Sequence, residues 1–222
     1  MKTDILFEDK YIIVCVKPAG ICSEAEGMPE LLREQCALPE VFCVHRLDRD
    51  VSGIMVFAKD SRTAARFSSL FSEGKVKKEY YAAVAGAPVP ASGEMKDLLF
   101  HDKGKNKTYV VSRERRGVKR AALEYEMIGQ GIYMDAPASL VRIALKTGRS
   151  HQIRVQFASR KMPLIGDRKY GGPPCSGGIA LISRKLSFLH PVTGEEMGFS
   201  IPVPGSGVWE IFKLTPEDQA QI

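Results

Sequence analysis

This 222-residue chain is defined first by what it lacks. No apolar run approaches the ~18 residues that a membrane-spanning helix needs. The opening MKTDILFEDK has no apolar core of the kind a signal peptide carries. Five cysteines stand at positions 15, 22, 36, 43 and 175. Their number is odd and no two form a C-x-x-C pair, which argues against a disulfide framework and a zinc knuckle. A reducing, cytoplasmic compartment is expected. Only 4 histidines are present and no H-E-x-x-H, so a zinc enzyme is not expected. Neither G-x-G-x-x-G nor a P-loop occurs, which sets aside dinucleotide and nucleoside triphosphate sites. Repeats and low-complexity tracts are also missing. The length suits one large domain or two small ones.

Charge is unevenly spread. The formal net charge is +6, but residues 1–60 hold 7 basic and 11 acidic groups, residues 61–170 hold 22 and 10, and residues 171–222 hold 3 and 5. A middle section this basic suggests an electropositive face for a polyanion; solvated loops rich in Lys and Arg are the plainer alternative. Residues 103–120 concentrate the excess. Eight cations (Lys103, Lys105, Lys107, Arg113, Arg115, Arg116, Lys119, Arg120) stand there against one acid, Glu114. This is either a phosphate-tracking strand pair or a flexible hairpin in water.

Strand signals outnumber helix signals. YIIVCV (11–16) and GIMVFAK (53–59) read as buried strands, EYYAAVAG (79–86) as another, and AALEYEMI (121–128) and ASLVRIALK (138–146) as half-buried ones. IALISRKLSFLH (179–190) and MGFSIPVP (197–204) flank a turn at PVTGE. PELLREQ (29–35), SRTAARFSSLFSEGK (61–75) and HQIRVQFASR (151–160) read as helices. Ser61 caps the second of these and Ser150 or Thr147 the third. Ala64, Phe67, Leu70 and Phe71 form the apolar stripe of the second. The 30-residue βαβ rhythm of a doubly wound fold is missing. The expectation is an α+β fold with a mixed, mostly antiparallel sheet and flanking helices.

Three clusters carry chemistry. In VHRLDRDVSG (44–53), Asp48 and Asp50 form a D-x-D pair, but Arg46 and Arg49 flank it and compete with a cation, so a metal is not expected. A carboxylate nucleophile is the second reading. It must be ionised although partly desolvated, so a cation must hold it charged, and Arg46, Arg49, Arg149 and Arg154 are the candidates. An exposed ion-pair loop is the third. TGRSHQIR (147–154) presents a helix start with Arg149 beside it, suited to an anion, or else a well-capped helix with its polar side in water. KKEYYAAVAG (77–86) sets two tyrosines on opposite faces of one strand beside Lys75, Lys77 and Lys78. One of them is free to stack on a base while the other packs.

Taken in order, these segments resemble the RluA-type family of RNA pseudouridine synthases, over nearly the whole chain. KPAG (17–20), HRLDRDVSG (45–53), KEYYAAVAG (78–86), TGRSHQIR (147–154), GDRKYGG (166–172) and LHPVTGEEMGFSIPVP (189–204) are each similar to a family segment. The resemblance implies one catalytic domain over residues 1–222, without the N-terminal S4 domain, and a cleft across its sheet. It gives Asp48 the role of catalytic nucleophile or base. Tyr80 becomes the active-site tyrosine and Arg154 the cation paired with Asp48. Arg46, Ile153 and Arg149 contact the RNA or the uridine. The implied activity is an isomerase reaction on a flipped-out uridine in rRNA or tRNA, without metal, nucleotide or redox cofactor and without need of a membrane; a monomer is the default expectation.

Two positions depart from the family pattern: Val51 stands where Thr is usual and Gln156 where His is usual. Altered RNA contacts are expected from them. The alternatives are a non-catalytic RNA-binding protein and a glycosidase. The first has no use for Asp48, Tyr80 and Arg154 together, and the second usually wants a second, separately tuned carboxylate.

Overall fold

In the computed structural model, described here for residues 2–24 and 26–219, the chain forms the strands β1 (Ile5–Glu8), β2 (Ile12–Lys17), β3 (Phe42–Cys43), β4 (Ser52–Ala58), β5 (Lys77–Ala85), β6 (Ser92–Asp102), β7 (Lys107–Val111), β8 (Val118–Tyr133), β9 (Ala136–Leu145), β10 (Leu181–Leu189) and β11 (Glu196–Ser200). The main helices are α1 (Met28–Gln35), α2 (Ser61–Ser72) and α3 (Gln152–Ser159). None of the helices is long and apolar enough to cross a membrane among the described residues. The described chain divides into two compact units, the first built from residues 2–24, 26–78 and 182–202, the second from 79–181 and 203–219.

In the first unit the strands run β1-β2-β4-β10, with β3 on β4 and β11 on β10. The β4–β10 pair is parallel and the others are antiparallel. Ile12 to Cys15 and Ile54 to Ala58 are fully buried, which explains why both strands read as unbroken apolar runs without alternation. Helix α2 starts one residue earlier than the sequence suggested. Asp60 is the cap, accepting from the Thr63 backbone N–H at 2.8 Å and from the Thr63 hydroxyl at 2.7 Å; its carboxylate serves two donors where Ser61 could serve one. The left-handed Gly74 terminates the helix just past Ser72, as expected, with Lys75 N donating to Leu70 O. Of its stripe, Phe67 is fully buried and Ala64, Leu70 and Phe71 are half-buried.

In the second unit the order is β5-β9-β8-β6-β7, antiparallel throughout. β8 is twice the length of the segment read from sequence, because β6 and β9 pair along both its edges. β6 and β7 carry no clear period in the sequence; His101 lies on β6. The mixed, mostly antiparallel α+β architecture expected from the sequence is what forms.

Candidate active site

The segment from His45 to Val51 leaves β3, makes a loop and enters β4. Its ties are unusually polar. Lys17, at the end of β2, is fully buried, and its ammonium donates to three carbonyls: Pro18 at 2.9 Å, Ile21 at 2.7 Å and Arg49 at 3.0 Å. Burial lowers its pKa to about 8, against the opposing pull of Cys22, Asp50 and Asp48. The Arg49 carbonyl also accepts from Gly20 N, and Arg49 Nε returns a bond to Gly20 O at 2.8 Å. Ser23 completes the clasp, donating its hydroxyl to Leu47 O and accepting from Leu47 N. The KPAG segment (17–20) is thus a clamp on the loop. Asp48 itself is half-buried, and its carbonyl accepts from Val51 N to close the turn.

Gly53 fixes where the loop ends. Its φ is +128°, and a Cβ there would lie 2.4 Å from Ser183 O and 2.5 Å from Ser183 N of β10. Only glycine meets both the backbone conformation and the approach of the neighbouring strand. Arg46 points to solvent and meets Glu24 at 3.6 Å, a weak exposed pair that leaves its guanidinium accessible.

In the second unit Tyr80 and Tyr81 of β5 are both buried, at 4% and 2% exposure. Ile153 is buried too, while Arg149 is exposed with Nε donating to Arg120 O at 3.1 Å. The start of α3 differs from expectation. Neither Ser150 nor Thr147 caps it; His151 occupies the cap position in the left-handed region, φ 53°, without a side-chain cap bond. Gln152 organises the turn instead. Its Oε1 accepts from the Thr147 hydroxyl and from Arg149 N, and its Nε2 donates to Ala122 O. Residues 152–157 are all buried, so α3 has no watery polar face in this stretch.

Arg154 lies 3% exposed within that stretch. Nε and Nη2 reach Oδ2 and Oδ1 of Asp167 at 2.7 and 2.9 Å, a two-pronged pair sealed from water. Its guanidinium also lies over the Tyr170 ring at 5.2 Å. The Tyr170 hydroxyl accepts from Thr108 N at 2.8 Å and meets His151 Nδ1 at 2.9 Å. The Thr108 hydroxyl gives its one proton to Ser150 O, so His101 Nδ1, 2.9 Å away, is the donor in their contact. The network ties β6, β7 and the start of α3 to the Arg154 pair.

A profile described as RNA pseudouridylate synthase matches residues 11–159. This chain belongs to that family. Among curated relatives, the dual-specificity RNA pseudouridine synthase RluA of Salmonella typhimurium is 33% identical, covering 89% of this chain and 92% of its own. An uncharacterised RNA pseudouridine synthase of Mycoplasma pneumoniae is 32% identical over 88% of this chain, and the match spans 65% of that relative. The ribosomal large subunit pseudouridine synthase D of Neisseria meningitidis is 31% identical over 92% of this chain, and only 59% of that relative is spanned. The fold matches human RNA pseudouridylate synthase domain containing 1 with a TM-score of 0.77 at 22% identity, covering 92% of this chain and 85% of the other. Human RNA pseudouridylate synthase domain containing 4 gives 0.73 at 24% identity, covering 90% and 88%.

Against the family pattern, the two departures lie inside the protein. Val51 is 2% exposed. Gln156 is fully buried, its Nε2 donating to Asp97 Oδ2 at 2.7 Å and to Met95 O at 3.2 Å. Any effect of these two side chains on RNA contacts therefore passes through the packing around them. Sequence reasoning also missed Asp167, Tyr170, Lys17 and His45. A buried arginine demands an acid, and GDRKYGG supplied one, but spacing alone could not select Asp167 from the ten acids of residues 61–170.

Proposed function

We propose that this pseudouridine synthase family member isomerises uridine in rRNA or tRNA to pseudouridine, with Asp48 as its nucleophile or base. Family membership combined with the clamped loop around a half-buried Asp48 supports the reading. A carboxylate that must meet one ribose carbon benefits from a rigid mount, since small misplacements cost large factors in rate. Tyr80 and Arg154 take the supporting roles that the family resemblance gives them. Arg46, Ile153 and Arg149 take roles toward the RNA, and the exposed Arg46 and Arg149 suit phosphate contact.

The uridine leaves its stack at a cost of a few kcal/mol, offset by contacts to the flipped base and the flanking phosphates. Asp48 acts on the ribose, by attack at C1′ or by assisting loss of the base through a glycal. The N1–C1′ bond breaks, the uracil turns, and a C5–C1′ bond forms. The C5 proton departs and N1 gains one, so nothing is oxidised or reduced. The product has the mass of the substrate. A glycosidase would release free uracil instead, and a pure RNA binder would change nothing. Nucleoside analysis of RNA after incubation should therefore show a uridine isomer and no uracil. Free uracil, or unaltered nucleosides across rRNA and tRNA, would overturn the proposal.

A further inference from the structure

One edge of β4 is paired by three kinds of partner in succession. Ser52 and Gly53 pair with Ile182 and Ser183 of β10. Phe57 and Ala58 pair with Cys43 and Phe42 of β3. Between these two ladders lies a gap, which two side chains bridge. The Ser183 hydroxyl donates to Ile54 O at 3.3 Å, and Val56 N donates to His45 Nε2 at 3.0 Å. The imidazole stands where the carbonyl of a continuing β3 would have stood. The chain is thereby free to leave the sheet at His45, three residues before Asp48.

The ring is held from several sides. Its centroid lies 5.2 Å from that of Phe71 on α2. The Cys43 thiol donates to the His45 carbonyl at 2.9 Å. Lys78 lies close enough on β5 to disfavour a charged ring, and burial acts in the same direction more strongly. The residue as a whole keeps some solvent contact, but Nδ1 is sealed from it and has no hydrogen-bond partner among the described residues. Because Nε2 accepts from a backbone N–H, the ring proton of the neutral form sits on Nδ1. An enclosed N–H without an acceptor is costly, and here it is the consequence of aiming Nε2 at Val56.

We propose that His45 is a positioning residue for Asp48: as a neutral Nδ1–H imidazole it replaces a main-chain acceptor on β4 and fixes the point from which the loop springs. This rests on the reading of Asp48 as the nucleophile. Oε1 of a glutamine is as many bonds from Cβ as Nε2 of histidine, the oxygen of asparagine is one bond short, and leucine fills the space with no acceptor. His45→Gln should keep kcat within about threefold of wild type, whereas His45→Asn and His45→Leu should lose about 100-fold, the scale of an ångström's misplacement. KM for RNA should stay within about twofold in all three, since the RNA-facing side chains are untouched.

The tautomer is read directly on the wild-type protein by ¹⁵N NMR of the imidazoles, which does not depend on any variant folding. A neutral Nδ1–H ring through the range from about pH 5 to 9 is expected. An Nε2–H tautomer, a ring that titrates near its ordinary pKa, a leucine variant with wild-type kcat, or a glutamine variant as damaged as the leucine one would each overturn the proposal. Activity persisting in Asp48→Asn would instead remove the nucleophile reading and leave the tautomer result standing.

Discussion

At the residue scale, Lys17 shows a side chain set against its own comfort. Its folded pKa of about 8 lies below the ordinary 10.5, so at neutral pH the folded state carries a buried charge that the unfolded state would solvate. Its contribution to stability is therefore present above pH 10.5 and lost as pH falls through 8. Lys17→Met should remove this dependence. Between about pH 8 and 10.5, urea titrations should show wild type gaining on the variant, and parallel curves would contradict the assignment. Activity should move the opposite way. The variant leaves the Pro18 and Ile21 carbonyls without this donor and the Arg49 carbonyl with Gly20 N alone, and kcat should fall at least tenfold at neutral pH, read in a single-turnover assay.

The Arg154–Asp167 pair argues at the same scale. Asp167→Ala removes a two-pronged partner from a buried guanidinium and should cost about 3–5 kcal/mol, whereas Arg154→Met combined with Asp167→Leu should restore much of that stability, because hydrophobic replacement of a buried pair is often neutral. The double variant should nevertheless stay inactive. An active double variant, measured by pseudouridine formation, would show that Arg154 serves the fold alone. The sequence displayed Arg154 inside a recognisable segment but not its pairing with Asp167, since a contact across 13 residues depends on how the segment after α3 folds back on the helix, and no local pattern encodes that.

At the scale of elements, the legible strands were those whose burial is uniform or strictly alternating. β2 and β4 announced themselves because Ile12 to Cys15 and Ile54 to Ala58 are fully buried, leaving unbroken apolar runs. β6 and β7 did not, because neither is uniformly apolar nor strictly alternating; β6 is held by its pairing with β8, and β7 by its pairing with β6. The caps follow the same logic. Asp60 lies just outside the apolar period, and Gln152 folds its amide back on the turn, so both were passed over for the nearest hydroxyl. Gly53 was legible as a strand entry, but its reason is the neighbouring strand. Gly53→Ala should cost about 3 kcal/mol or more from positive-φ strain and the clash with β10, read as a lowered urea midpoint at unchanged slope. A shift below about 1 kcal/mol would mean that β4 and β10 part easily.

At the scale of the molecule, charge distribution separates roles. The cations of residues 103–120 lie on β7, on β8 and in the turns beside them, and most are exposed. Glu114 is occupied by Arg120 at 2.8 Å, and Arg115 lies over the Phe100 ring at 4.7 Å. Arg113, Arg116 and Lys119 present charge to solvent from a strand-braced surface. Changing these three to Gln should weaken RNA binding at low salt and reduce the slope of log affinity against log salt by about 2 to 3, at unchanged thermal stability. An unchanged slope would place the RNA elsewhere.

We propose that one carboxylate on a clamped loop, Asp48, performs the isomerisation. Tritium release from RNA labelled at uridine C5 measures it, because the C5 proton is lost only when the base re-attaches through that carbon. Wild-type protein should release tritium, and Asp48→Asn, with a near-wild-type urea midpoint and RNA affinity, should release none above background. Undiminished release by Asp48→Asn would contradict the account.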